Sequence, residues 1–257
     1  IKTHDFQSLV HRTGLEVSQI EILVDWLSKK DKIIVCWAMG LTQHANAVDN
    51  IQEIVNLLLL KGSIGKKGAG TCPVRGHSNV QGDRSMGIWD KPSKQFLDTL
   101  ASTFGFEPPR KHGVDVVQAI KMMYEEPGKY FMSLGGNFLS AAPDTNYTKK
   151  ALEQTQLSVH ISTKLNRSHL YPGQIGLILP CLARTDVIIE KSGPQKLTVE
   201  NSMGTVHATK GFDKSHTNSL LSEPHIISQI ASRTIGNNIV NWQALIDDYD
   251  RIRTLIS

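Results

Sequence analysis

The sequence has few cysteines, no long apolar run and little net charge, and each lack excludes a class of protein. Its 257 residues contain three cysteines without a CxxC pair, so the chain itself encodes neither a zinc site nor an iron–sulfur site. No apolar segment approaches the roughly eighteen residues of a membrane span, and the opening residues lack the order of a signal peptide. The formal charge of +4 is spread along the chain, which argues against a nucleic-acid partner.

The three cysteines are far apart in sequence, as in proteins of a reducing compartment, and we predict a soluble, cytoplasmic location. Cys36 lies inside the apolar run 33–37, so we expect a buried core thiol. Cys72 and Cys181 adjoin prolines in predicted loops. For these two residues a buried thiol and an accessible thiol are equally compatible with the sequence. Because residue 1 is isoleucine, we expect an internal fragment of a longer protein.

Hydrophobic residues make up 40% of the chain and charged residues 20%, as in ordinary globular proteins. Short apolar runs alternate with amphipathic segments, which predicts an α/β fold with parallel, Rossmann-like sheet units covered by helices on both faces. The predicted helices span 17–30, 47–60, 92–104, 113–125, 147–156, 222–232 and 241–255, and the predicted strands span 32–38, 130–134, 157–162, 175–179 and 187–190. A β-hairpin is predicted over 196–209, whereas 62–87 is glycine-rich with little periodicity.

In open α/β sheets, ligands bind beyond the carboxyl ends of the strands. Four loops follow predicted strands and are rich in glycine or polar residues, and we expect them on one sheet edge: 39–44, 135–137, 163–169 and 180–186. Gly135 and Gly136 would let a backbone approach a phosphate or purine closely, or they form a simple turn. Lys164 and Arg167 would neutralise a pyrophosphate, or they are solvated surface charges.

The last of these loops offers Asp186, whose carboxylate would accept from a guanine amine or a ribose hydroxyl, or cap a turn. Two nucleotide signatures are excluded. The segment Gly65–Gly70 lacks the GK[ST] ending of a P-loop and does not lie between a strand and a helix. No GxGxxG directly follows a predicted strand, which argues against an ordinary NAD-dependent dehydrogenase.

Three motifs occur in a fixed order in the first third of the chain. They read MGLTQH at 39–44, NLLLLKGSIGKKGAG at 56–70 and PVRGHSNVQG at 73–82. In order and spacing they resemble the catalytic subunits of formate dehydrogenases and their relatives, which carry MGxTQH, NLxLLxGxIGxxGxG and PxRGxxNVQG. Later segments, including those at 135–137, 163–169, 179–186 and 199–204, look like the YdeP-type branch of this molybdopterin oxidoreductase family.

The resemblance implies a molybdenum bis(molybdopterin guanine dinucleotide) cofactor held between α/β domains, as in the central domains of the formate dehydrogenase and DMSO reductase family. It implies that the chain is the cofactor-binding part of the enzyme. We expect the cofactor to lie against Met39, Gly40, Gln43, Gly76, Gly135, Gly136, Asn137, Lys164, Arg167, Arg184 and Asp186.

Arg75 matches the arginine that pairs with the substrate carboxylate in formate dehydrogenases, so a small anionic substrate is expected. His77 departs from the family, which has glutamine at this position, and this puts formate itself in doubt. The histidine can bind the pterin, relay a proton or simply pack. We name Arg75 and His77 as the candidate catalytic residues.

The resemblance also places the metal ligand and any 4Fe–4S cluster in upstream sequence, so no metal ligand is expected in this chain and the isolated chain should not turn over substrate. An electron-transfer partner is implied for the full-length protein. We expect one α/β cofactor-binding domain to include 1–80 and a second α/β domain with a small hairpin to span 81–257. A non-catalytic cofactor-binding module of the same fold is the alternative.

Overall fold

In the computed structural model, which describes residues 5–74, 76–126, 128–213 and 219–256, helices alternate with short, mostly parallel strands. The chain divides into two compact units, Ile1–Val80 and Gln81–Ser257. The α/β fold class predicted from the sequence is confirmed. No helix within the described ranges is long and apolar enough to cross a membrane.

The first unit is built on one pair of parallel strands. In chain order its elements are α1 (Phe6–Thr13), α2 (Val17–Lys29), β1 (Ile34–Trp37), α3 (Met39–Thr42), α4 (Ala47–Leu60) and β2 (Gly70–Pro73). Strands β1 and β2 pair in parallel from Ile34–Gly70 to Trp37–Pro73. Both strands therefore end at the same sheet edge, and the loops that follow them start side by side.

Strand β2 lies inside the glycine-rich stretch that showed no periodicity, so the prediction of an irregular segment was wrong there. Gly62 has a φ of +61° and ends α4 in the left-handed conformation that glycine adopts without strain. The chain then returns across β1, where the N–H of Gly70 donates to Ile33 O at 2.9 Å.

The second unit contains a three-stranded parallel sheet and a set of helices. Helix α5 (Val80–Ser85) begins at the last residue of the first unit. The elements that follow are α6 (Lys94–Phe104), α7 (Val116–Glu125), β3 (Tyr130–Leu134), α8 (Phe138–Ala141), α9 (Thr145–Glu153), β4 (Leu157–Ser162), a 3₁₀ turn (Arg167–Leu170) and β5 (Ile175–Pro180). The strand order is β3-β4-β5, with both pairs parallel. Their carboxyl ends therefore share one edge.

The rest of the second unit contains two small antiparallel pairs and three helices. These elements are β6 (Ile189–Glu190), β7 (Gly193–Pro194), β8 (Leu197–Glu200), β9 (Val206–Thr209), α10 (Glu223–Thr234), α11 (Trp242–Asp247) and α12 (Tyr249–Ile256). The β8–β9 pair confirms the predicted hairpin. The single closing helix predicted over 241–255 is instead two helices separated at Asp248, which has an extended backbone.

The two faces of the three-stranded sheet are covered unequally. On one face Phe131 packs with α7 and α9 around Ile120, Met123 and Ala151. On the other, Ile161 and Leu179 pack against Ile226 of α10. Further along this second face Tyr130, Met132 and Leu134 are exposed over 72%, 48% and 53% of their surface. The expectation of helices covering both faces is therefore wrong for this part of the sheet.

Candidate functional site

The loops that follow β1 and β2 form a small hollow in the first unit. Its volume is about 280 Å³. The lining residues are Trp37, Ala38, Met39, Thr42, Pro73, Val74, Gly76, His77 and Val80. The parallel pairing explains this placement, because Trp37 and Pro73 are partners at the strand ends. Two motifs separated by 28 residues of sequence, 39–44 and 73–82, thus meet in one hollow.

Several predicted site residues lie at this hollow. Met39, Gly76 and His77 line it, and Met39 and His77 are exposed. A Cβ on Gly76 would stand 3.4 Å from the Sδ of Met39, so a side chain larger than methyl would press on the methionine. Arg75, the neighbour of Gly76 in sequence, lies outside the described residues.

Gly40 and Gln43 belong to the same loop but are not lining residues of the hollow. Gly40 is the second residue of α3, and no other atom of the described residues lies within 4 Å of the place a Cβ would take. Gln43 is exposed and ends α3, where its N–H donates to Met39 O at 3.0 Å. Its backbone therefore fixes the turn that presents Met39.

The other three predicted loops belong to the second unit, so the expectation that all four share one sheet edge is wrong. They follow β3, β4 and β5, whose carboxyl ends do share an edge. A separate two-stranded sheet carries the loop at 39–44. Two separate sheets could not be predicted, because β2 has no alternating pattern of apolar residues.

Hydrogen bonds join the loop after β3 to the loop after β4. Asn166 Nδ2 donates to Gly136 O at 2.8 Å, and Ser168 Oγ donates to Asn137 Oδ1 at 3.2 Å. The N–H of Leu139 donates in turn to Ser168 Oγ at 3.0 Å. Asn137, a predicted cofactor residue, therefore orders the two loops through its side chain, and Asn166 is a positioning residue that the sequence analysis did not name.

Gly135 and Gly136 form the turn between β3 and α8. Both have positive φ, +67° and +70°, a conformation that other residues adopt only with strain. No other described atom lies within 4 Å of either Cβ position. The turn geometry accounts for both glycines, and open space lies beside them.

Lys164 and Arg167 are both exposed on the loop after β4. No described partner within ion-pair distance is found for either side chain, in contrast to Arg110, which pairs with Asp98 and Glu107. An exposed, unpaired cation costs little to bring to an anion because no existing ion pair must be broken. The two charges therefore remain available for a ligand.

Arg184 lines a second hollow, of about 360 Å³, together with Leu134 at the end of β3, Lys196, Glu223 and Arg253. Burial raises the pKa of Glu223, and the neighbouring Arg184 opposes that rise. Arg253 is already paired with Asp250, so Arg184 and Lys196 against Glu223 leave one net positive charge on this lining, which favours an anionic occupant. Lys196 and Arg253 were not among the predicted site residues.

Asp186 is committed to the turn that follows β5. Its Oδ2 accepts from the N–H of Ala183 at 2.6 Å, and its neighbour Val187 donates to Asp213 O at 2.8 Å. The carboxylate thus caps a turn, which was the alternative to a contact with guanine or ribose.

A buried histidine underlies the loop after β4. His160 is 2% exposed, and its Nδ1 is 3.1 Å from Ser133 Oγ. Its Nε2 has no hydrogen-bond partner among the described residues. Burial lowers the pKa of His160, and His169, whose ring centroid is 4.9 Å away, adds to the effect. In the sequence, the alternation of Ser158, His160 and Ser162 with apolar residues was the signal that could have identified this buried histidine.

Replacing Ser168 by alanine is expected to lower the free energy of unfolding by about 1–3 kcal/mol. Ser168 is 2% exposed, and its loss would leave the buried N–H of Leu139 without an acceptor. The midpoint of urea unfolding followed by circular dichroism measures the effect. The matched control is Ser140→Ala, an exposed serine in α8. Equal midpoints for the two variants would contradict the role of Ser168 in joining the loops.

Within residues 5–74, 76–126, 128–213 and 219–256, no group of three or more His, Cys, Asp or Glu side chains is placed to hold a metal ion. The remaining candidate groups are therefore the loop backbones, the exposed cations and His77. Such groups suit an organic anion bound through hydrogen bonds and charge.

The comparisons with known proteins agree with the motifs. No family model matches the chain. It is 48% identical over 251 residues to a Mycobacterium tuberculosis protein named an uncharacterized oxidoreductase, covering 97% of this chain and 32% of that protein. It is 43% identical over 249 residues to protein YdeP of Escherichia coli, covering 97% and 33%.

A more distant relative is YrhE of Bacillus subtilis, whose name includes the term formate dehydrogenase, at 28% identity over 192 residues, covering 72% of this chain and 20% of that protein. The chain spans about a third of the length of the relatives that match nearly all of it. Its homology runs through the motifs in both units. The chain belongs to the family that contains YdeP and the mycobacterial proteins named oxidoreductases.

Proposed function

We propose that the chain is the cofactor-binding part of a molybdenum bis(molybdopterin guanine dinucleotide) oxidoreductase that acts on a small anion. The observation that carries the proposal is the hollow of the first unit, where Met39 meets Gly76 and His77. These residues come from the first and third family motifs. Parallel pairing of β1 and β2, and not proximity in sequence, brings them together.

The residues of the chain fit such a group. A pterin is planar and rich in hydrogen-bonding atoms, and the first hollow combines the apolar Met39 and Val74 with Thr42 and His77. A guanine dinucleotide carries a pyrophosphate, and the second unit offers Lys164, Arg167 and Arg184 as exposed cations. Bidentate hydrogen bonds from arginine to phosphate oxygens are among the stronger polar contacts in proteins.

When bound, the cofactor would supply the two-electron redox chemistry, and the chain would supply position and charge. Met39 and Gly76 would contact the pterin. The turn at Gly135 and Gly136 would leave room for a phosphate beside the backbone. His77 would donate to or accept from the pterin or the substrate. Arg75 is proposed, on the resemblance alone, to pair with the substrate anion.

The proposal is tested first on the cofactor content of the full-length protein, produced with molybdate in a bacterial host. We expect molybdenum by plasma mass spectrometry, a fluorescent oxidised pterin, and GMP released in equal amount to pterin on acid hydrolysis. Absence of both molybdenum and tungsten, or of the pterin, would refute the proposal. Cofactor without turnover of any small anion would favour the non-catalytic module.

The role of the cations is tested by the triple change Lys164→Ala, Arg167→Ala and Arg184→Ala. Hydrogen bonds to charged groups contribute about 1.5–3 kcal/mol each, so we expect cofactor affinity to fall by roughly tenfold or more per cation. The readout is the amount of pterin and GMP retained per protein. The matched control removes the exposed lysines Lys91, Lys94 and Lys121. Equal retention by the two triple variants would remove these cations from the site.

A further inference from the structure

Two cysteines stand side by side on the sheet of the first unit. Cys36 of β1 and Cys72 of β2 are register partners in the parallel pair. Neighbouring strands lie about 4.7–4.9 Å apart, and disulfides form across Cα separations of about 4.4–6.8 Å. Because partners in register share a face of the sheet, both thiols lie on the same side.

This face of the sheet is open. Both cysteines are exposed, and Ile34, two residues before Cys36 on the same face, is 56% exposed. The expectation that Cys36 is a buried core thiol is therefore wrong, and Cys72 lies in a strand instead of a loop. The third cysteine differs, because Cys181 is 3% exposed and burial raises its pKa to about 11.

The neighbouring Cys72 thiol is the main cause that raises the pKa of Cys36, and partial desolvation adds to it. This effect agrees with the register of the two strands, which places Cys36 and Cys72 beside one another.

We propose that Cys36 and Cys72 form an oxidisable dithiol, a modification site that a two-electron oxidant of the diazene class converts to a cross-strand disulfide. Each thiol gives up its hydrogen and a sulfur–sulfur bond forms. The two protons and two electrons pass to the N=N bond of the oxidant, which becomes a hydrazine. The site goes beyond the proposed function, because it needs neither cofactor nor substrate.

The position of the pair gives the bond a consequence for the hollow. Cys36 directly precedes Trp37, and Cys72 directly precedes Pro73, both of which line it. A covalent link would therefore fix the spacing of the two strand ends that carry the lining loops. The thiolate is the attacking species, so oxidation should accelerate as the pH rises toward the raised pKa of Cys36.

The test uses the folded chain, reduced, freed of reductant and treated with diamide at pH 8. The chain is then denatured and its remaining thiols are alkylated with N-ethylmaleimide. We expect the number of alkylated cysteines to fall from three to one, with the mass of a monomer that has lost two hydrogen atoms. Peptide mapping should show the link between Cys36 and Cys72 and the label on Cys181.

Variants that each lack one of the three cysteines supply the controls. Cys181→Ser should lose both remaining thiols on oxidation, whereas Cys36→Ser and Cys72→Ser should each keep two. Retention of all three thiols in the unmodified sequence would overturn the proposal. A link that includes Cys181, or a disulfide between two chains, would do the same.

Discussion

Leu58→Ala is expected to lower the free energy of unfolding of the first unit by about 2–5 kcal/mol, the range for truncating a fully buried leucine. Leu58 has no exposed surface. Among residues 5–74 and 76–80, only Val10 and Leu58 are hydrophobic side chains that count as buried. The substitution would leave a cavity in a core that has few other buried side chains, so few neighbours could move in to fill the cavity.

Leu60→Ala is the matched control for this prediction. Leu60 belongs to the same helix, α4, but is 73% exposed, and a surface truncation usually changes stability by less than about 0.5 kcal/mol. Urea unfolding followed by circular dichroism would compare the two variants. Similar midpoints for Leu58→Ala and Leu60→Ala would show that α4 does not pack as described.

Gly173→Ala is expected to destabilise the second unit by about 1–3 kcal/mol, the range for forcing an extra group into a packed site. A Cβ at this position would overlap the carbonyl oxygen and the hydroxyl of Thr155. Thr155 has no exposed surface, and its carbonyl accepts from Gln174 at 2.9 Å. Backbone held in this way cannot move aside easily, so the start of β5 would have to shift.

Gly40→Ala provides the comparison, because Gly40 has an ordinary φ and no other described atom within 4 Å of its Cβ position. Alanine also favours a helix more than glycine does by up to about 1 kcal/mol. We expect no loss of stability for Gly40→Ala and a clear loss for Gly173→Ala in the same thermal scan. Equal melting temperatures would refute the close packing of Gly173 on Thr155.

The sequence predicted well those elements whose own residues carry the pattern. Strands β3 and β4 have the predicted bounds, because apolar residues recur along each strand and glycine or polar residues follow its end. Helix α10 begins after Ser222, whose side chain accepts from the N–H of His225, with a proline in its first turn. Both are signals that a short stretch of sequence contains in full.

Elements that depend on distant partners were missed. Strand β2 consists of Gly70, Thr71, Cys72 and Pro73, without apolar alternation, and it exists through its pairing with β1. The N–H of Tyr249 donates to Oε1 of the distant Gln195 at 2.9 Å, and this contact accompanies the break between α11 and α12 at Asp248. The apolar pattern continues across this residue, so periodicity alone predicted one helix.

For the candidate site, too, the sequence predicted what a local motif contains and missed what depends on the fold. The motif spacing pointed to Met39, Gly76 and His77, and the structure brings them to one hollow. The turn cap made by Asp186 was one of the two alternatives predicted, because its partner Ala183 is only three residues away. The hydrogen bond from Asn166 to Gly136 could not be predicted, because it depends on which loop lies beside which. Hydrogen-bond partners across a sheet edge are a property of the fold and not of a local pattern.

The uncovered part of the β3–β5 sheet has a practical consequence for the measurements above. Tyr130, Met132, Ile175 and Leu177 are each 46–72% exposed, and exposed apolar patches bind hydrophobic reporter dyes even in a folded protein. Fluorescence of such a dye would therefore start high with the native chain and would follow melting poorly. Far-ultraviolet ellipticity, which reports the helices directly, is the appropriate signal.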